Sequence, residues 1–390
     1  MAWARSASVV EADQPILSAP SGDAPRRGAA SRQARLPLYG ARPGPGCLGL
    51  WLHVGPQAWL CQDGALLSGA APIGTEARLV APDPTGLPYA YFFAGPDGSL
   101  GYRRIEDVDV GEPRMTLEPG FAVAVVEQRV FAGQIYGRTN RALWVPMRDL
   151  FPARPFAFRG EEITETPGGV VPFGWVFVDD APLYSRRGGA FFRGGRAVAR
   201  FTRVGWLEQA SSFQGVFARI DAASWIDVRS LRHPALAPPP SETSLGPGER
   251  WIDVDLASQT LVAYEGERPV YATLVSTGKG QPGSATATPP GAHRIWVKLL
   301  SSVMDNIEDE DASRYYRIED VPYVQYFTKG VGLHAAFWHR SFGRVRSHGC
   351  INLAPLDAER LFRFTGPRLP AGWTAALPTA FDRGTVVRVR

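Results

Sequence analysis

The sequence predicts a mainly β protein, and two features of its composition favour that fold class. Glycine and proline are abundant, with 42 and 34 residues, and they divide the chain into short apolar runs, as turns do. Those runs are rich in Val, Phe and Thr, and the chain holds 11 Trp, residue types that favour strands. The 390 residues are enough for two or three domains, each with its own core.

Charge and hydropathy limit the classes of function. Hydrophobic residues make up 45% and charged residues 21%, which is typical of a folded globular protein. The net charge is only +4 and no block of Lys and Arg marks a nucleic-acid groove, so we expect no nucleic-acid partner. No run approaches the roughly 18 apolar residues of a membrane span, so we expect no transmembrane segment.

The first segment, residues 1–35, is rich in Ala, Ser, Arg and Pro and poor in aliphatic residues. This composition predicts a disordered leader. The segment lacks the apolar core of a secretory signal, so an export signal further upstream, unconventional export and retention inside the cell all remain open.

Residues 36–115 are predicted to form an N-terminal β module, because short apolar runs such as 48–52 and 89–93 alternate with Gly-Pro, Asp-Gly and Pro-Asp turns. Cys47 and Cys61 flank one of these runs. They could close a small loop as a disulfide or remain two buried thiols, and the sequence leaves both possibilities open.

Residues 116–235 contain an internal repeat. The segment Trp-Val-Pro-Met-Arg-Asp-Leu at 144–150 recurs as Trp-Ile-Asp-Val-Arg-Ser-Leu at 225–231, and Pro-Leu-Tyr occurs at both 37–39 and 182–184. These echoes resemble the small bacterial Src-homology-3 (SH3) barrels, which implies docking on the cell wall or on the C-terminal domain. Chance recurrence in a turn-rich β protein is an equal interpretation. We predict one or more SH3-like β modules here.

The Pro-rich segment 236–249 predicts a semi-rigid linker and the clearest domain boundary. Beyond it, residues 252–256 alternate apolar and acidic side chains, as a half-buried strand does, and further strands are predicted in a β-meander. The acidic segment 304–320 predicts a solvated surface or, less simply, a lid. One short helix is expected from Pro355, a residue suited to the first helical position.

The segment 332–353 holds three of the six histidines, His334, His339 and His348, together with Cys350. A thiol beside imidazoles and a glycine-bearing turn is what nucleophilic acyl transfer needs. A lone cysteine is more often a small buried hydrophobic residue, and a zinc site is a second alternative. Zinc sites usually show paired cysteines, however, and none occurs here, so we expect no metal.

Residues 250–390 resemble the YkuD-type L,D-transpeptidases. The resemblance is carried by Ser-His-Gly-Cys-Ile-Asn at 347–352 together with the upstream His334. It is supported by four further segments that occur along the chain in the same order as in the family. Those segments are 252–261, Val-Ser-Thr-Gly at 275–278, Thr-Pro-Pro-Gly at 288–291 and a Gly-Thr-Val-Val ending. The chain departs from the family pattern at Ala335, where the family commonly has Gly.

The resemblance implies a β-sandwich catalytic domain that remodels peptidoglycan in the bacterial cell envelope, in the periplasm, without a cofactor. Its partner would be the peptidoglycan stem peptide. The family's cysteine attacks the third residue of a donor tetrapeptide stem, expels the terminal D-alanine and passes the acyl group to an amine of a second stem, giving a 3→3 cross-link. With water as acceptor, the same site would make an L,D-carboxypeptidase or amidase. An inactive wall-binding protein is a further alternative.

The residues suggest a role for each member of the site. Cys350 is the predicted nucleophile and His334 its base, since a free thiol with a pKa of about 8.5 is little ionised at neutral pH. Gly349 and His348 are predicted to shape the turn, with the N–H groups of Gly349 and Cys350 facing the oxyanion. Four residues are predicted to contact substrate: Ser347, Asn352, Trp338 and His339.

Overall fold

A computed structural model describes residues 5–73, 85–305 and 316–390. Within these residues the protein has 34 strands and two α-helices, so the predicted mainly β fold class is confirmed. None of the helices in the described ranges is long and apolar enough to cross a membrane. Most of the acidic segment predicted at 304–320 lies outside the described residues, at 306–315.

The first module spans the described residues up to 73. Its strands are β1 (Ser6–Val9), β2 (Gln14–Leu17), β3 (Arg26–Ala30), β4 (Arg35–Pro37), β5 (Gly40–Arg42), β6 (Trp51–Gly55), β7 (Ala58–Cys61) and β8 (Ala65–Ser68). The prediction of a disordered leader at residues 1–35 is therefore wrong for residues 6–35. The core of this module is built partly from small side chains, such as Ala7 and Ala30, which are fully buried. A composition poor in large aliphatic residues therefore did not indicate a folded segment. Cys47 and Cys61 form a disulfide.

The second module follows from residue 85. Its elements are β9 (Ala90–Ala94), β10 (Ser99–Gly101), α1 (Asp107–Val110), β11 (Met115–Leu117), β12 (Ala122–Phe131), β13 (Gln134–Thr139), β14 (Trp144–Pro146) and β15 (Leu150–Pro152). Strands β9 and β12 to β15 pair antiparallel around a small apolar core that includes Val123 and Val145.

The third module extends to residue 232. Its strands are β16 (Glu161–Glu162), β17 (Phe173–Val176), β18 (Asp180–Arg187), β19 (Ala190–Ala199), β20 (Arg203–Gly205), β21 (Glu208–Ser212), β22 (Gly215–Arg219), β23 (Trp225–Asp227) and β24 (Leu231–Arg232). Strand β16 leaves the module and pairs with the C-terminal domain. The others form a five-stranded sheet, β19-β18-β23-β22-β21, and a three-stranded sheet, β20-β17-β24.

The sequence repeat corresponds to a repeated structural unit. Each copy begins with a strand at the tryptophan, Trp144 or Trp225, continues through one turn of 3₁₀-helix and ends in a second strand. The first module has the same unit at Trp59, with a 3₁₀ turn at Gln62–Gly64 between β7 and β8. The sequence did not reveal this third copy, because its closing Leu is replaced by Ala65. The SH3-like identity of the modules stays a prediction.

The C-terminal domain contains the remaining elements. They are β25 (Arg250–Asp255), β26 (Thr260–Glu265), β27 (Arg268–Leu274), β28 (Gly291–Arg294), β29 (Val297–Asp305), β30 (Arg317–Thr328), β31 (Val331–Ala335), β32 (Ile351–Leu353), α2 (Pro355–Phe364), β33 (Trp373–Ala376) and β34 (Val386–Val389). The single short helix predicted from Pro355 is α2, which has this proline in its first turn.

Two sheets form the sandwich of the C-terminal domain. One has the order β16-β27-β26-β25-β34-β28, and the other contains β29 to β33. Ile252 and Leu261 from the first sheet lie in one buried cluster with Leu333 and Ile351 from the second. Because alternate residues of a strand point to opposite faces, burying Leu333 and Ile351 turns their neighbours His334 and Asn352 to the other face of the sheet.

The modules before residue 235 are attached directly to the C-terminal domain. Strand β3 pairs with β33, and β16 extends the sheet at β27. The Pro-rich segment 236–249 is also in contact with it, since the Pro238 carbonyl accepts a hydrogen bond from Arg388 at 2.9 Å and the Ser244 carbonyl accepts one from Arg294 at 2.9 Å. The segment therefore lies along the domain and does not hold it at a distance as a spacer.

Candidate active site

The candidate site lies where β31 and β32 run side by side. The two strands are parallel, and their register places His334 beside Asn352 and Leu333 beside Ile351. Cys350 immediately precedes β32, two residues before Asn352, so the side-chain alternation of β32, continued by one residue, predicts the thiol on the same face as His334. The strand pairing thus brings the predicted base next to the strand that follows the predicted nucleophile.

The Cys350 thiol is held at the β30–β31 turn. Its Sγ lies 3.7 Å from the Gly330 carbonyl oxygen, to which the S–H donates. Desolvation raises the pKa of the thiol above its ordinary value, and the Gly332 N–H, which donates to the sulfur, partly opposes this rise. The resting thiol is therefore protonated at neutral pH and needs a base when it attacks.

His334 has the protonation state of such a base. Burial lowers the pKa of its imidazole to about 4, and the hydrogen bond to the Ala335 carbonyl, at 3.0 Å from Nδ1, opposes that shift. Since Nδ1 carries the proton that it donates to this carbonyl, Nε2 is the free acceptor. The Trp338 ring stacks on the imidazole with centroids 5.7 Å apart, which fixes the plane of the imidazole ring.

The turn before the thiol is fixed by its own hydrogen bonds. The Ser347 hydroxyl donates to the Cys350 carbonyl and accepts from the Gly349 N–H at 3.2 Å. Gly349 has φ +127°, a conformation that other residues rarely adopt. The predicted oxyanion role of the Gly349 N–H needs correction, because this donor is already paired with Ser347. The Cys350 N–H remains the predicted donor.

Thr288 and Thr277, for which the sequence analysis predicted no individual role, support this turn. The Thr288 hydroxyl donates to the Gly349 carbonyl at 2.7 Å and accepts from the Gly278 N–H at 2.9 Å. The Thr277 carbonyl accepts from the Ser347 N–H at 3.0 Å. In the sequence, Thr288 stood out only as part of the Thr-Pro-Pro-Gly segment that supports the family resemblance. That segment predicted no role for Thr288 in the turn.

Of the residues predicted to contact substrate, Asn352 and His339 contact each other. The Asn352 amide lies 2.8 Å from His339 Nε2, and His339 Nδ1 accepts from the Ser341 N–H at 3.1 Å. Because Nδ1 accepts, Nε2 carries the proton, and only the amide oxygen of Asn352 can receive it. We therefore assign that oxygen to face His339. Both residues are buried, which places them behind the surface of the cleft.

The remaining predicted residues have different surroundings. Ser347 is buried with its hydroxyl engaged in the turn, so the structure gives it a supporting position and no open contact for substrate. His348 is exposed and stacks on Tyr316, with ring centroids 6.3 Å apart. Trp338 is partly exposed beside His334, where it can face a bound peptide.

The active-site loop, residues 336–346, is held between the second and third modules. The Phe337 ring packs on Tyr91 of the second module, with centroids 4.2 Å apart. Phe342 is fully buried in a core that includes Trp175 of the third module, and Arg232 donates to the Gly343 carbonyl at 2.9 Å. Sequence reasoning missed this arrangement, since no local pattern links a loop to modules more than a hundred residues away.

The arrangement of possible metal ligands does not support the zinc alternative. Among the described residues, only Cys47, Cys61 and Asp63 form a group of three whose ligand atoms all lie within 4.8 Å of one another. The two cysteines of that group are joined to each other. His334, His339, His348 and Cys350 do not form such a group.

Comparison with known proteins identifies the domain. Residues 249–389 match the family model YkuD, the L,D-transpeptidase catalytic domain. Similar solved structures include the catalytic domain of an Enterococcus faecium L,D-transpeptidase (26% identity, 37% of this chain, 98% of that chain, TM-score 0.28). Others are L,D-transpeptidases from Stackebrandtia nassauensis (27% identity, 38% and 58% of the two chains, TM-score 0.26) and Mycobacterium tuberculosis (20% identity, 45% and 77%, TM-score 0.29). No curated protein matches the chain. Residues 249–389 are therefore similar to the L,D-transpeptidase catalytic domain of the YkuD family.

Proposed function

We propose that this protein is a peptidoglycan L,D-transpeptidase of the bacterial cell envelope that forms 3→3 cross-links between stem peptides. The observation that carries the proposal is the pairing of β31 with β32, which brings the neutral, buried His334 next to the strand that begins directly after Cys350. A protonated thiol beside a neutral imidazole suits an acyl transfer in which the proton moves during attack. The family match at residues 249–389 supports the same reaction class.

The proposed reaction has two steps. In the first, His334 Nε2 takes the proton of Cys350 while the sulfur bonds to the carbonyl carbon of the third residue of a donor tetrapeptide stem. The bond to the terminal D-alanine nitrogen breaks, His334 returns the proton to that nitrogen, and free D-alanine leaves behind a thioester. The Cys350 N–H stabilises the negative oxygen formed on the way, a contribution of about 3–4 kcal/mol where such donors have been removed.

In the second step, an amine on the side chain of a second stem attacks the thioester. His334 takes a proton from the attacking nitrogen and returns it to the sulfur, so the enzyme regains its starting state. One donor and one acceptor stem thus give one cross-linked dimer and one D-alanine. If water attacked in place of the amine, D-alanine would be released without a dimer.

The ratio of these products tests the proposal. Purified protein is incubated with disaccharide tetrapeptide, and mass spectrometry counts dimers and free D-alanine. We expect one 3→3 dimer for each D-alanine released. Dimer-free release of D-alanine would show a carboxypeptidase, and the absence of both products would contradict the assignment.

A variant tests the nucleophile. Cys350→Ala should abolish both products, because no other described residue offers a thiol on this face. The matched control is the double variant Cys47→Ala/Cys61→Ala, which removes the other two cysteines and should keep the one-to-one product ratio. Dimer formation by Cys350→Ala at the unmodified rate would refute the mechanism.

A further inference from the structure

Three arginines meet where the third module contacts the active-site loop. Arg200 and Arg232 belong to the module, and Arg344 belongs to the loop. The Arg232 and Arg344 guanidinium groups lie 3.4 Å and 5.8 Å from the centroid of the same ring, that of Phe177. We call Arg200, Arg232 and Arg344 the arginine cluster.

The hydrogen bonds of the cluster leave its charge uncompensated. Arg232 donates to the Gly343 carbonyl at 2.9 Å, Arg200 to the Phe342 carbonyl at 3.4 Å, and Arg344 to the Phe177 carbonyl at 3.2 Å. Each of these acceptors is a neutral carbonyl group. Such bonds hold the loop in place, but they do not balance three positive charges.

Carboxylates are scarce around the cluster. In the parts of the chain that the structure describes, the one carboxylate within 4.0 Å of the cluster is that of Asp179, 3.6 Å from Arg200, and its side chain is 81% exposed. The buried Nε of Arg200 has no hydrogen-bond partner among those residues. Burial, and then the charge of Arg344, lowers the pKa of both Arg200 and Arg232. Like charges brought together in this way favour an anion between them.

One member of the cluster, Arg344, is connected through its backbone to the strand that follows the nucleophile. The Arg344 carbonyl accepts from the Ser276 hydroxyl at 2.6 Å. Ser276 in turn exchanges backbone hydrogen bonds with Asn352, at 3.0 and 2.9 Å. Asn352 is two residues from Cys350, so a short series of hydrogen bonds connects the backbone of Arg344 to the segment that carries the thiol.

We infer that the arginine cluster binds a carboxylate of the peptidoglycan stem peptide. The inference rests on the proposed function and names the part of the substrate that the third module would recognise. Guanidinium groups bind carboxylates through two parallel N–H···O bonds, and a stem peptide carries carboxylates on its terminal D-alanine and on its branching residues. The third module would then complete the substrate site by supplying Arg200 and Arg232.

The test measures binding in the Cys350→Ala protein, so that it does not depend on turnover. The probes are a tetrapeptide ending in D-alanine with free carboxylates and the same peptide with its carboxylates converted to amides. We expect Arg344→Gln to weaken binding of the free acid about tenfold, because a charge-assisted hydrogen bond is lost. Binding of the amidated peptide should stay unchanged.

Two further variants separate charge from structure. Arg340→Gln removes the same charge from the same loop, but Arg340 lies over the Phe156 ring, outside the cluster, and this change should leave both affinities unaltered. Arg344→Lys keeps the charge but cannot form two parallel N–H···O bonds, so it should recover only part of the affinity for the free acid. Equal losses for both peptides in Arg344→Gln, or no preference of the Cys350→Ala protein for the free acid, would overturn the inference. A failure of the proposed function would appear separately, as absent turnover of the free acid by the unmodified protein.

Discussion

The turn at residues 347–350 and the active-site loop at 336–346 adjoin in sequence but are held in place by different parts of the chain. The turn is fixed from within the C-terminal domain, by Ser347 itself and by Thr288. The loop is held from two sides, by Ser276 and Asn352 of the C-terminal domain and, from outside that domain, by Tyr91 of the second module and Arg232 of the third. A short motif can therefore specify the reacting groups, while the wall of the cleft depends on residues far away in sequence.

This comparison predicts a ranking of mutational effects. Changes that loosen the turn displace the thiol itself and should cost most. Changes that loosen the loop act on Cys350 and His334 only through intervening side chains and should cost less. The three predictions below run from the largest expected effect to the smallest.

The largest effect is expected for Thr288→Val. Valine keeps the shape of threonine but leaves the buried Gly278 N–H and Gly349 carbonyl unpaired, each at a cost of about 1–3 kcal/mol. The turn should shift to satisfy these groups, and a displacement of about 1 Å can reduce a rate about a hundredfold. We expect kcat/KM for D-alanine release to fall by that factor.

Thr288→Ser is the matched control, because serine keeps the hydroxyl that bridges the two backbone groups. It should retain most of the activity. If Thr288→Val stays within threefold of the unmodified protein, the turn does not depend on this bridge.

The turn and the loop also differ in how far the sequence predicts them. Cys350, His334 and the turn were predicted from the string 347–352 and the upstream histidine through their resemblance to a known family. The observed turn fits that string, because Gly349 has a positive φ that other residues rarely adopt. Burial of Asn352 and His339 could not be foreseen. Their mutual hydrogen bond depends on the path of the loop, which the modules set.

The fold shows the same limit at residues 6–35. Their sequence is poor in large aliphatic residues, so composition predicted disorder. Strand β3 is nevertheless ordered by pairing with β33, and Arg27 donates to the Leu377 carbonyl, 350 residues further along the chain. Pairing partners at that distance supply a stability that no local window of sequence contains.

A second prediction concerns pH and tests whether His334 acts as a neutral base. Burial lowers the pKa of His334 to about 4, so the imidazole should stay neutral as pH falls from 7 and become protonated only near pH 4. The acid limb of kcat/KM should therefore lie near pH 4. If the His334 imidazole had the ordinary pKa of 6.5, kcat/KM at pH 5 would be about thirtyfold lower than we expect.

The measurement is the rate of D-alanine release between pH 4 and 8, with circular dichroism at each pH to confirm that the protein remains folded. Loss of activity centred near pH 6.5, with the fold intact, would show that His334 is more exposed to water than the β31–β32 pairing implies.

The smallest effect is expected in the loop, for His339→Phe. Phenylalanine fills the same space but cannot accept from the Ser341 N–H or donate to the Asn352 amide, so Asn352 loses the contact that orients it beside His334. We expect kcat to fall about tenfold with KM little changed, because His339 would act by positioning and not by touching substrate. His339→Gln, which offers both an acceptor and a donor, should recover part of the rate. A rise in KM with unchanged kcat would instead place His339 against the substrate. A fall in kcat/KM as large as that of Thr288→Val would mean that the loop controls the position of the thiol as closely as the turn does.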